Sequence, residues 1–84
     1  MKYKVARVKW LDAEEHGEVG WNNFAEIKKH AKKPCPIMHS IGFVIHHDEK
    51  SHISLVSCIS DDEKHSGSVE KIPIAFVLDI TYLS

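Results

Sequence analysis

Apolar and polar positions alternate most clearly between Ser40 and Ser60. Ile41, Phe43 and Ile45 fall on one face of a first arm, and Ile53, Leu55, Ser57 and Ile59 on one face of a second. The polar run His46-His-Asp-Glu-Lys-Ser-His52 supplies the turn and its flanks, so the pattern predicts a β-hairpin. Both arms are rich in β-branched residues, which suit a pleated, half-buried strand. In this register Val44, Val56 and Cys58 lie opposite Phe43 and Leu55, and both faces carry apolar groups. Gly42, inside the first arm, predicts a bend or bulge where the strand curves.

The flanking segments extend the pattern. Tyr3 to Leu11 places Ala6, Val8 and Trp10 among Lys2, Lys4, Arg7 and Lys9, which predicts a first strand with one wet face. Trp21, Phe24, Ile27 and Ala31 recur at steps of three and four, so Trp21 to Lys33 is predicted as the single helix. Asn23 followed by Glu26 matches an N-terminal cap. Lys28, Lys29, His30, Lys32 and Lys33 suit the negative end of the helix dipole, and Pro34 stops the helix. After a polar loop of turn formers (Asp61 to Ser68), Val69 to Ile72 reads as a strand. Pro73 limits that strand to an edge or boundary, a helical turn follows over Pro73 to Phe76, and Val77 to Leu83 forms the last strand.

Composition narrows the functional classes. Eighty-four residues with 43% apolar and 27% charged side chains are expected to form one small domain. A net charge of -1 argues against a global basic field for nucleic acid. No run approaches the ~18 apolar residues of a membrane span. The first residues carry no apolar leader, so a cytoplasmic location in a bacterial cell is the expectation. Cys35, between two prolines, and Cys58, placed in a strand as a small core residue, lack the spacing of a disulfide framework or metal site. A domain this small, without staples, is expected to be a homo-oligomer.

Candidate chemistry is sparse. His46, His47, Asp48 and His52 gather at the hairpin tip, but adjacent strand residues point to opposite faces, which splits His46 from His47. His47 and His52 remain the pair that can approach across the hairpin. Asp12, Glu14, Glu15, His16 and Glu18 form an acidic loop without a recognised ligand spacing. No glycine-rich phosphate loop and no exposed nucleophile–base motif is present. The sequence therefore predicts no catalytic residues, no metal and no cofactor. Arg7, Lys9, Lys28, Lys29, Lys32 and Lys33 are the candidate phosphate or nucleic-acid contacts, with a solvated face as the alternative. Trp10, Trp21 and Tyr82, together with the apolar back of the hairpin, are the candidate protein interface, with core packing as the alternative for the tryptophans.

The order of elements, with Lys71-Ile-Pro-Ile-Ala-Phe-Val-Leu-Asp-Ile80 joining the last two strands, resembles the SH3-like and Sm-like barrels. This resemblance implies a mainly β fold: a small five-stranded barrel with the helix between strand 1 and the central hairpin. The chain departs from the Sm pattern by placing a strand before the helix. It also has Lys71-Ile72-Pro73 where the Hfq branch has Tyr-Lys-His, so that RNA site is not carried over. A second set of motifs is Val8-Lys-Trp-Leu-Asp-Ala13, Trp21, Ser40-Ile-Gly-Phe-Val-Ile45, and Ile72-Pro73 with Ile80 and Leu83. These are similar to a family of small, uncharacterised tailed-bacteriophage proteins. That likeness implies a non-enzymatic phage-type accessory protein that binds and modulates a host protein. The alternative is an Sm-like oligomer holding RNA or a small nucleotide signal between subunits.

Overall fold

The computed structural model describes residues 2–83. Five strands form one antiparallel sheet: β1 (Val5–Leu11), β2 (Ile37–His47), β3 (His52–Val56), β4 (Val69–Pro73) and β5 (Val77–Tyr82). A single α-helix, α1 (Phe24–Ala31), lies between β1 and β2, and a 3₁₀ turn, Ile74–Phe76, joins β4 to β5. The spatial order β4-β3-β2-β1-β5 puts the two last strands at opposite edges. Five flat strands would separate those edges by about 19 Å. The four steps from Pro73 to Val77 span at most about 14 Å, so the sheet curls. β4 and β5 share no ladder, and the sheet remains open.

The core lies inside the curl. Val8, Ile53, Leu55 and Ile72 are buried together, and Trp10, Val44, Ile74, Val77 and Ile80 pack against them. Trp10 Nε1 donates to Ser40 Oγ at 3.0 Å, so its polar atom is satisfied beside that apolar cluster. Pro73 ends the edge strand β4, where its missing N–H breaks no central ladder. Ile74 N–H donates to the Ser51 carbonyl at 2.9 Å, which ties the 3₁₀ turn to the β2–β3 turn.

Three details of the hairpin depart from the alternation. Phe43 faces Val56 and Val44 faces Leu55, so Phe43 and Leu55 lie on opposite faces. The register shifts between Val44 and His46, placing Ile45 in a bulge. β3 also ends at Val56, leaving Cys58 exposed in the following loop; Cys35 is exposed as well, and both thiols are free. Period-two alternation assumes an uninterrupted ladder, and a bulge inverts every face beyond it.

The helix differs more. Asn23 caps it as predicted, its Oδ1 accepting from the Glu26 N–H at 3.2 Å. Trp21 lies outside the helix, however, and no α1 residue is buried. Residues 12–33 form an arm that leaves the sheet after β1 and returns to β2. The arm folds on itself: the rings of His16 and His30 stack at 3.7 Å, and His30 Nε2 lies 2.8 Å from Glu14 Oε1. The molecule is correspondingly long, 53 × 24 × 20 Å. None of its described helices is long and apolar enough to cross a membrane.

A candidate binding pocket at the open end of the hairpin

Beyond β3 the chain forms a short stiff extension instead of a loose loop. Ser60 N–H donates to the His65 carbonyl at 2.8 Å, Gly67 N–H to the Cys58 carbonyl at 3.0 Å, and Ile59 bridges Ser66. The tip closes through Glu63, whose N–H donates to the Ser60 carbonyl at 2.9 Å and whose φ of 58° is left-handed. A non-glycine residue holds that conformation only when its surroundings fix it.

Asp62 does the fixing. Its Oδ1 accepts from Ser60 Oγ at 2.7 Å and from Lys64 N–H at 3.0 Å, and Ser60 Oγ accepts in turn from His65 N–H at 3.0 Å. The Ser60 hydroxyl first, and then the Lys64 amide, hold the Asp62 carboxyl below its ordinary value although it is fully exposed. A lowered folded-state value contributes order above the unfolded value and loses it as pH falls through the folded one. The Asp62 carboxyl carbon shift should therefore stay constant from neutral pH down through the ordinary carboxylate range and move only below it. An NMR titration placing the Asp62 midpoint at or above that range would contradict this.

Between this extension and the sheet lies a pocket of about 230 Å³. Tyr3, the bulge residue Ile45, Val56 and Ile59 supply apolar surface, while Glu63, Lys64, His65 and Ser66 line the side toward the extension. The bulge brings Ile45 here, and the end of β3 brings Val56. A second cluster sits at the other end of the hairpin arms. His47 Nδ1 and the Tyr82 hydroxyl share a hydrogen bond at 2.7 Å. His47 Nε2, itself buried, lies 2.8 Å from Glu49 Oε1 without hydrogen-bond geometry. His46 and His52, not His47 and His52, approach across the hairpin, with ring centroids 4.9 Å apart. Among the described residues, no group of three His, Cys, Asp or Glu side chains is placed to hold a metal ion.

The residues singled out from sequence are dispersed. Lys28, Lys29, Lys32 and Lys33 are exposed on the arm, Arg7 is exposed on β1 and Lys9 is half-buried there. α1 makes no extended packing contact with any strand, so these cations form two separate groups. Trp10 is half-buried against the core, Trp21 is fully exposed at 103% on the arm, and Tyr82 is exposed on β5 with Lys4 Nζ 5.9 Å from its ring centroid. The pocket has no signature of its own in the sequence. Its one signal there is the apolar back of the hairpin, and Asp62 and Glu63 look like ordinary turn formers.

The fold and pocket define a small antiparallel β-sheet protein with a side-chain-sized recess and a protruding helical arm. No protein family, curated relative or solved structure matches the chain.

Proposed function

We propose that this chain is a non-enzymatic accessory protein that acts by binding another protein, taking one apolar side chain of that partner into the pocket. The carrying observation is the pocket itself. At about 230 Å³ it falls below the roughly 300–1,000 Å³ of small-molecule sites, and its walls are held by hydrogen bonds before anything binds. Interfaces draw most of their affinity from a few anchors seated in such recesses. Glu63 and Lys64 offer both signs of charge at the rim for orienting the segment around the anchor. The curled sheet, read as a small SH3-like barrel, serves as the rigid scaffold. The likeness to bacteriophage accessory proteins makes a bacterial host protein the proposed partner. Binding of RNA or a nucleotide has less support, because the candidate cations are split between the arm and β1.

Pull-down from a bacterial lysate, read by mass spectrometry and by absorbance at 260 nm, tests this. Ile59→Lys should abolish capture of the specific protein, whereas Lys29→Ala on the arm should leave capture unchanged. Equal capture by wild type and Ile59→Lys, or bound nucleic acid in place of protein, would overturn the reading.

A further inference from the structure

The monomer is too open for its mass. A compact chain of 9.6 kDa exposes about 5,100 Å² and has a radius of gyration near 12 Å. This chain exposes 6684 Å² with a radius of gyration of 16.9 Å, an excess of about 1,600 Å². The excess accompanies large apolar side chains left in water. Val19 and Trp21 are fully exposed near the turn of the arm, and Phe24 opens α1 beside them. Ile37 and Ile41 are exposed along β2 on the sheet face turned away from the core, Ile41 at 63%.

We infer that a second copy of this chain covers the arm: two copies lie side by side and antiparallel, each arm across the outer sheet face of the other. Three observations select this occupant. The first is area: a standard interface hides about 800 Å² per partner and obligate dimers hide more, so the 1,600 Å² excess is of the size a permanent dimer removes.

The second is charge. Glu14, Glu15 and Glu18 precede the exposed Val19–Trp21 segment, while Arg7, Lys9 and His39 flank Ile41 on the outer face, so the two surfaces of one chain are complementary to each other. Other local charges run against this trend: Lys29, Lys32 and Lys33 follow on the same arm, and Glu14 is paired with His30 within it. Asp79 stands opposite Lys9, and Lys28 Nζ sits 5.4 Å from the Phe24 ring centroid. The third is shape: a body 53 Å long and 24 Å across has room for a neighbour's sheet beside its arm when two copies run in opposite directions. The contact is then isologous, arm to face and face to arm, and closes at two copies. A covering that the fold itself requires must be present wherever the chain is made, and a second copy always is.

This inference stands apart from the pocket reading. Light scattering at about 50 µM should give twice 9.6 kDa for wild type and for the pocket variant Ile59→Lys. Trp21→Ser with Phe24→Ser should give the monomer mass with an unchanged circular dichroism spectrum, and Ile41→Lys on the opposite surface should do the same. Mixing these two variants should restore a two-copy species, since each supplies the surface the other lacks; the tenfold or greater weakening of that species reflects its single intact contact. A monomeric wild type, an assembly larger than two, or a dimer indifferent to Ile41→Lys would overturn the proposal.

Discussion

Replacing Gly42 by alanine is expected to cost the protein a large share of its stability. A Cβ at this position would stand 2.7 Å from the Val56 carbonyl oxygen and 3.3 Å from Leu55 Cβ. The first contact is with backbone, so no rotamer change relieves it. The two strands would have to separate where Phe43 pairs with Val56. Two effects oppose each other. In a strand interior that accepts it, alanine is better than glycine by roughly 0.5–1 kcal/mol, because glycine loses more chain entropy on folding. Forcing extra volume into a packed site typically costs about 1–3 kcal/mol. The steric term wins. With a total stability of about 4–13 kcal/mol for a chain this long, the melting temperature should fall by roughly 5–15 °C. Gly42→Val should fall further. An unchanged melting temperature for Gly42→Ala would mean that β2 and β3 do not approach this closely.

The second large effect is expected at Ile53. It is fully buried, faces Ile72 across the β3–β4 ladder, and belongs to a core of six buried apolar residues among those described. Truncation to alanine removes three carbons and leaves a cavity, for which about 2–5 kcal/mol is typical. Few other buried contacts remain to share that loss. Chemical denaturation should show the midpoint dropping with little change in slope. Leu78→Ser is the matched control, because Leu78 is half-exposed on the edge strand β5, and it should shift stability by no more than about 0.5 kcal/mol. Equal effects at the two positions would contradict this core.

These two positions differ in how visible they are in the sequence. Gly42 is legible as a special position, because a glycine inside a β-branched run gives up side-chain packing; the structure shows a close backbone approach there and puts the bulge at Ile45 instead. The Val56 carbonyl it avoids is not legible. Ile53 is legible as an inward residue of an alternating strand, but its partners depend on a register that simple alternation misplaces. The bulge at Ile45 is the cause. One extra residue reverses the faces beyond it, and no residue type near Ile45 announces it. The pocket is hidden for the same reason: its surface combines the bulge residue with Tyr3 and with Ile59, which lies past the end of β3.

The arm shows the opposite failure. Its stripe of Trp21, Phe24, Ile27 and Ala31 carries the pattern of a helix that packs on a core, and the Asn23 cap forms as expected. An amphipathic pattern states that an apolar face will be covered, but not by which surface. In the single chain that face stays open, and the proposed second copy answers the pattern without contradicting it.

By itself, then, the sequence determined the local choices: five strands, one capped helix, the hairpin turn and the 3₁₀ turn after Pro73. Each follows from side-chain period, capping chemistry or a restricted φ, all of which act over a few residues. Only the tertiary structure decided which faces meet, where the bulge falls, that Cys58 and the helix lie in solvent, and that the 57–68 extension walls a pocket. Those outcomes depend on registers and contacts between residues far apart in the chain, and no local preference encodes them.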